Sequence, residues 1–461
     1  MTRQRVQGVV LVSWVTGMLL ALPAAPAGAV PSFARQLGVQ CSTCHTVFPE
    51  LNAFGRSFKL TGYTLSASST PYEFPPPVAG MAQLSYTRTD TRQPRGSIDE
   101  NWATHPLAKD NDTLNVPQQL SLFYAGRILG NLGAFVQGTY DGTANTFFLD
   151  NTDIRYAQSV TVAKTDLVLG LTLNNNPTVQ DVWNSTPAWS FPYASSSVAP
   201  TPAASALIDG GLAQQVGGLG VYAFWNDLLY AEAAVYGTAR NGILAPLGAG
   251  TPNDTNVRNA VPYWRVAVHQ SWGAHDATVG TYGLQANLFP GGTTQVPTDR
   301  FTDVALDAQY QYTGDTHMVS AQTTWIHEWQ TWDASFPAGS TARPSDRLDT
   351  FRINFHYYYK SRLGLLGGSV GFFATTGSAD AVLYAPGDLS GSRTGSPDSN
   401  GFILELDYLP FGGEPPKYFA PKFSLQYVIY NKFNGAHSNY DGSGRNASDN
   451  NTLYLLAWLN F

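Results

Sequence analysis

The sequence predicts an all-β chain: about sixteen antiparallel strands closed into a transmembrane outer-membrane β-barrel, with a short helical segment in front of it. Three observations lead there. After Val78 apolar and polar residues alternate with period two, the links between alternating segments are by turns short and long, and the last strand ends on an aromatic residue. Composition agrees, since 13% of residues are charged, 13% are aromatic, and no later apolar run is long enough for a membrane helix. A net charge of −7 gives no support to a nucleic-acid partner.

The first element, residues 1–29, reads as a secretory signal peptide. Arg3 and Arg5 precede an apolar stretch from Val9 to Leu22, and Ala27-Gly28-Ala29 supplies a small-x-small cleavage site. The stretch is shorter than the ~20 apolar residues of a spanning helix.

The second element, residues 30–77, carries Cys41-Ser42-Thr43-Cys44-His45, which contains both cysteines of the chain. Two thiols three positions apart can add across the vinyl groups of a haem, and the adjoining imidazole is then presented to the iron. C-x-x-C-H therefore reads as covalent attachment of one haem c, with His45 as proximal ligand. A structural zinc needs four ligands and a redox dithiol wants a βαβ context. There is no third cysteine, and the next histidine is His105. Pro49 to Leu60 is expected to form a short helix with Leu51, Phe54 and Phe58 on one face and Thr61-Gly62 as its stop. That face would cover a macrocycle or simply pack the segment. Arg35, Arg56 and Lys59 are candidates to neutralise haem propionates. Pro71, Pro75, Pro76 and Pro77 close the segment before it is long enough for a globular cytochrome, so its remaining walls must come from the barrel.

The third element, residues 78–461, holds strands expected at 79–89, 118–129, 131–141, 152–161, 166–174, 217–225, 228–238, 262–273, 276–288, 301–313, 316–330, 347–361, 364–376, 400–411, 420–434 and 451–461. Val304, Leu306, Ala308, Tyr310 and Tyr312 alternate with polar residues, as do Phe351, Ile353, Phe355, Tyr357 and Tyr359. Links within pairs are tight, as at Gly130, Asn226-Asp227 and Arg362-Leu363; links between pairs run from about ten to more than forty residues. Short turns at one end and long polar loops at the other mark a bacterial outer-membrane barrel with its short ends periplasmic. An even strand count returns both termini to that side. Leu453, Leu455, Ala457, Leu459 and Phe461 form the terminal apolar row common in such proteins.

With these residues in view, Ala29-Val30-Pro31-Ser32-Phe33-Ala34-Arg35, followed by the haem motif and by Phe48-Pro49-Glu50-Leu51 through Phe54-Gly55-Arg56 to Gly62-Tyr63, resembles the opening of the mono-haem cytochrome c–porin fusions of iron-oxidising bacteria. The match covers about residues 29–63. The resemblance implies a haem segment ahead of a porin-like barrel and one-electron oxidation of an extracellular donor, Fe(II), at the cell surface. It also implies electron delivery to periplasmic carriers such as a soluble cytochrome or cupredoxin. Two alternatives stand beside it: a solute porin with a regulatory or sensory haem, and a periplasmic haem redox protein with a soluble β domain.

For the distal iron ligand the leading candidate is Met81, which shares its strand phase with Gln83, Ser85 and Thr87 and stands near the periplasmic end. His/Met ligation raises the potential relative to bis-histidine. His356, in phase with Arg352 and Lys360, is the histidine rival, with His269 behind it. The acids Asp153, Asp303, Asp307, Glu405 and Asp407 are expected to face the lumen, where they would attract cations or serve as ordinary interior polarity. The long stretch after Asn174, with Asp181, Trp183, Trp189 and Phe191, is either an inward constriction or a surface loop.

Overall fold

The computed structural model describes residues 30–67, 76–92, 111–294, 297–387, 389–410 and 419–461. The expected signal peptide and His105 lie outside these residues. Strands follow in chain order: β1 Val78–Thr89, β2 Asp112–Leu129, β3 Leu132–Asp141, β4 Thr146–Val162, β5 Thr165–Asn174, β6 Val216–Trp225, β7 Leu229–Thr238 and β8 Val261–Trp272. The second half comprises β9 His275–Phe289, β10 Asp299–Thr313, β11 His317–Thr331, β12 Ser345–Ser361, β13 Gly364–Gly377, β14 Ser399–Pro410, β15 Ala420–Lys432 and β16 Thr452–Asn460. Each pairs antiparallel with the next, and β16 returns to β1, from Asn460 opposite Met81 to Thr452 opposite Thr89. The sheet is therefore a closed sixteen-stranded barrel, with Asn256–Val257 as a two-residue addition against the end of β9.

The pleat sorts side chains as the alternation requires. On β12, Ile353, Phe355, Tyr357 and Tyr359 face outward and are 42–50% exposed, whereas Asn354, His356 and Tyr358 are buried inside. On β10, Leu306 and Tyr310 point out while Asp303, Asp307, Gln309 and Gln311 point in. A closed ring with an apolar outer face satisfies every ladder hydrogen bond without water, which is the condition for crossing a bilayer with strands. It excludes the soluble β domain, whose apolar face would have to turn inward. Closure is fastened at the carboxy terminus, where Phe461 N donates to Gly80 O at 2.9 Å. The Phe461 ring lies so close that a Cβ on Gly80 would fall 2.3 Å from it.

Tight links at 130–131, 163–164, 226–228, 273–274, 314–316 and 362–363 define one end, called here the turn end. Ala163, Lys164, Asn226 and Asp227 all take positive φ, the backbone of the hairpin turns that match strand twist. Two sequence expectations need correction at the opposite, loop end. β2 begins at Asp112 and β4 at Thr146, six residues earlier than their alternation suggests, so β3 and β4 are joined by 142–145 only. These extensions pair Arg88 with Asp112 and Tyr140 with Phe147; Pro117 interrupts the first, and Phe147-Phe148-Leu149 put apolar residues on both faces of the second, which hides the period.

Two chain segments enter the lumen. The first holds α1, Pro31–Leu37, a short 3-10 turn at Cys41–Thr43, and α2, Ala53–Leu60. Helix α2 starts four residues later than expected from the sequence. The Asn52 side chain caps it by accepting from Gly55 N at 3.1 Å, and Leu51 is drawn into an isolated antiparallel bridge with His45. Phe58 is buried but Phe54 is 41% exposed, so the expected Leu51–Phe54–Phe58 face does not form. The segment is tied to the wall by Arg56–Asp276 at 2.6 Å and by Tyr63, whose hydroxyl donates to Asp153 at 2.7 Å. The second segment, 175–215 between β5 and β6, folds inward. Asp181 nucleates it by accepting from the backbone N–H of Trp183, Ser185 and Thr186 at 2.9, 3.0 and 3.1 Å.

Leu306→Arg, in the middle of the outward band of β10, should cost about 2–4 kcal/mol of stability by equilibrium denaturant unfolding in lipid vesicles. A cost no larger than that of Leu306→Ala would contradict a lipid-facing position.

Candidate functional site

Between these two segments and the wall lies a cavity of about 780 Å³, a size typical of preformed ligand pockets (~300–1,000 Å³). Cys41, Cys44 and His45 line it from the amino-terminal segment, and Met81 lines it from β1. Its apolar walls include Phe33 and Phe58 from the helices, Phe123 and Phe135 from β2 and β3, and Trp458 from β16. Trp189, Phe191 and Tyr193 of the inward loop close another side.

The motif turn is held by local hydrogen bonds. Cys44 N and His45 N both donate to Cys41 O, at 3.0 and 2.9 Å, and Asn52 N donates to Cys44 O at 2.9 Å. Helix α2 is pressed onto that same carbonyl: a Cβ on Gly55 would lie 2.2 Å from Cys44 O. Glycine at this point is a requirement of close approach, and a lone glycine inside a helical pattern was its only trace in the sequence.

His45 Nδ1 donates to the carbonyl of Glu50 at 3.2 Å, so the lone pair is on Nε2. Burial pulls the His45 pKa down to about 4, with the Glu50 and Pro49 carbonyls opposing, so the ring is neutral near pH 7. A neutral imidazole with one nitrogen fixed by a carbonyl is the usual state of a metal-binding histidine. Burial, and then the neighbouring Cys41, push the Cys44 thiol up to about 12.

Met81 is 4% exposed and packs among Phe58, Phe123, Phe135 and Trp458. Among the described residues lining the cavity, it brings the sole thioether and His45 the sole imidazole. The rivals are committed elsewhere. His356 Nδ1 meets the Ser369 hydroxyl and Nε2 meets Asn354 and Gln322 at 2.6 and 3.1 Å. His269 bonds Asp227 O at 2.7 Å and Asp276 at 2.9 Å. Two paired thiols, a neutral imidazole, a thioether and aromatic walls form a donor set and lining that fit a covalently held haem.

The charged candidates divide. Lys59 lines the cavity, donates to the carbonyls of Val179 and Asp181 at 2.7 and 2.8 Å, and lies 4.8 Å above the Trp189 ring. Burial, with Arg155 second, pulls its pKa down to about 7. Arg56 is no propionate partner, because it is spent on Asp276, Gln311 and the Leu51 carbonyl. Arg35 reaches the Val78 carbonyl instead. The lumen acids are likewise taken as anchors. Asp153 pairs with Arg155 at 2.8 Å, Asp307 with Arg265 at 2.7 Å, and Glu405 and Asp407 with Lys422 at 3.3 and 3.2 Å. Asp303 accepts from Ile208 N at 2.7 Å.

No family model matches the chain, and no curated protein does. Solved structures do. The outer membrane protein OmpT of Vibrio cholerae matches at 11% identity and TM-score 0.40, covering 83% of this chain and 96% of that one. The anion-selective porin of Comamonas acidovorans matches at 13% and 0.43, covering 83% and 97%. The outer membrane channel DcaP of Acinetobacter baumannii matches at 10% and 0.43, covering 83% and 96%. The membrane-barrel assignment rests on the closed sheet and its outward apolar band.

Gly55→Ala should destabilise the motif's seat by about 1–3 kcal/mol, the cost of overpacking. Hydrogen exchange over residues 41–60 should quicken, with Gly138→Ala as control, whose Cβ would meet nothing nearer than 3.9 Å. Unchanged exchange in Gly55→Ala would rule out a packing constraint at this carbonyl.

Proposed function

We propose that this chain is an outer-membrane c-type cytochrome–porin. It would hold one haem c through Cys41 and Cys44, bind its iron with His45 and Met81, and carry electrons from extracellular Fe(II) to a periplasmic acceptor such as a soluble cytochrome or cupredoxin. The observation that carries this reading is that both thiols, His45 and Met81 line one aromatic-walled cavity inside the barrel. A bound haem would supply one-electron exchange between its ferric and ferrous states.

The chain's own residues would do the rest. Glu50 O orients the His45 ring, and the thioether of Met81 offers a soft ligand of the kind that raises a haem potential. Phe58, Phe123 and Phe135 keep water from the apolar part of the cavity, while Lys59, held by the Val179 and Asp181 carbonyls, braces the segment against the inward loop. The cavity continues past Ser195, Thr201 and Pro202 to Asp209, Arg352 and Tyr430, toward the loop end, the side from which an outside donor would approach. On the other side Cys41, His45 and Phe48 also line a second cavity, about 460 Å³, with Lys360, Pro410 and Phe419 at the turn end. The motif thus lies between a space that faces up the lumen and one that faces the turn-end mouth, as a relay requires.

Purified protein should show the polypeptide mass plus one haem and lose it in Cys41→Ala/Cys44→Ala. Fe(II) should reduce the haem in detergent; reduction by dithionite alone would remove Fe(II) as the donor. Met81→Ala should abolish the near-infrared sulfur-to-iron band, and a retained band would exclude Met81 as ligand.

A further inference from the structure

The outward face of the barrel carries a charge pattern of its own at the loop end. Arg300 stands near the start of β10, opposite Asn287 of β9 on one side and Thr331 of β11 on the other. Arg258 lies across β9 from it, where its backbone N–H donates to Asn287 O at 2.7 Å. Arg347 of β12 is opposite Trp329, one pleat repeat nearer the apolar band. Strand spacing then puts the Cα atoms of Arg258 and Arg347 about 10 and 12 Å from that of Arg300. All three side chains are exposed, and among the described residues none of them has an ion-pair partner. Arg88 and Lys432, also at this end, have Asp112 and Asp398 at 3.8 and 2.8 Å. Acids of the same arc are engaged otherwise: Asp349 bonds His327 Nδ1 at 2.7 Å, Asp346 meets Arg343 at 3.4 Å, and Asp299 accepts from Ala334 N and Ser335 N. Asp254 and Asp333 stand exposed in the loops beyond the strands.

Below the arginines the face turns apolar at once. Trp329, Trp264 and Trp325 follow in successive rows beneath Arg300, each exposed, and Val266 and Leu306 are level with Trp325. Tryptophans at this height mark the boundary between hydrocarbon and headgroups. The arginines therefore stand at headgroup level, on the outer side, because the long loops of such barrels are extracellular.

We propose that Arg258, Arg300 and Arg347 seat the phosphate groups of a glycolipid of the outer leaflet, with its acyl chains lying along Trp264, Trp329 and Leu306. That leaflet of a bacterial outer membrane is built of phosphorylated glycolipid, so the ligand is present wherever the barrel is inserted. A guanidinium is always charged, and its planar fork gives two parallel hydrogen bonds to a phosphate. A lone exposed arginine is satisfied by water. Three without acidic partners, directly above an apolar strip, complement a molecule that carries anionic groups on top and hydrocarbon underneath. The seat lies on the outside of β8–β12 and owes nothing to the lumen, so it stands apart from the haem reading.

The full-length protein in nonionic-detergent micelles would be titrated with lipid A bearing two phosphates and with its dephosphorylated form, and bound lipid read by native mass spectrometry. The parent should prefer the phosphorylated lipid. Arg258→Gln, Arg300→Gln and Arg347→Gln should each weaken that binding about fivefold and leave the dephosphorylated lipid unaffected. Lys164→Gln and Arg362→Gln, at the turn end, should change neither. Equal binding of the two lipids by the parent would mean that acyl chains alone are held, and it overturns the proposal without any variant having to fold. An equal loss in the turn-end variants would mean general charge attraction and overturns it too. So does displacement of the lipid by equimolar inorganic phosphate, which would mean a site for free anions.

Discussion

A ring of sixteen strands encloses more space than its own inward side chains can fill, and the rest of this structure depends on how that space is occupied. Two segments enter it, and they brace each other as much as they brace the wall. Lys59 donates to the carbonyls of Val179 and Asp181, Asn184 accepts from Leu51 N, and Tyr193 donates to Glu50. Arg155, Arg265 and Lys422 supply buried countercharges from the wall. Charges this deep are tolerable only when paired and hydrogen-bonded, so each one fixes the position of its partner. The cavity is the gap left between two such fixed bodies.

That arrangement explains how so short a segment presents a complete site. Residues 30–63 supply the thiols, the imidazole and two aromatic walls, and they lack the bulk to enclose them. The barrel provides Met81, Phe123, Phe135 and Trp458, and the loop provides Trp189, Phe191 and Tyr193. The site has three sources, and its shape depends on all of them being in register. Glu50 is where the three meet, since its partners come from the segment, from two strands and from the loop.

Much of the fold was legible because a pleated sheet with one lipid face writes its period directly into the sequence. β10 and β12 show it cleanly, with aromatic and branched residues out and Asp, Gln and Asn in. The amino-terminal ends of β2 and β4 were not legible, since Pro117 interrupts the first run and Phe147-Phe148-Leu149 place apolar residues on both faces of the second. Within the site, Cys41, Cys44 and His45 declare a chemistry by spacing, and the phase of Met81 placed it inside. Nothing in a linear reading marks Glu50, because its carboxylate is bonded by Gln311, Ser320 and Tyr193, which arrive from far along the chain. Arg56 misled for the same reason: a cation near a haem motif suggests a propionate until Asp276 is brought beside it. The helix expected from Pro49 fails because a local competitor wins, the Asn52 cap with the His45–Leu51 bridge.

The lumen also bears on whether such a barrel passes solutes or electrons. Opening a wide path would require moving the amino-terminal segment or the inward loop. Moving the segment separates Arg56 from Asp276 and Tyr63 from Asp153; moving the loop separates Asp181 from Arg265 and Asp209 from Arg352. Separating one buried pair leaves an uncompensated charge at a cost of about 3–5 kcal/mol, and several would part together. Electron transfer makes no such demand, because it needs the donor and acceptor close to a fixed centre and little rearrangement around it. A lumen crossed by ion pairs, with Cys41 and His45 lining a cavity on either side of the motif, is the feature that favours the electron-transfer reading proposed above over a solute channel.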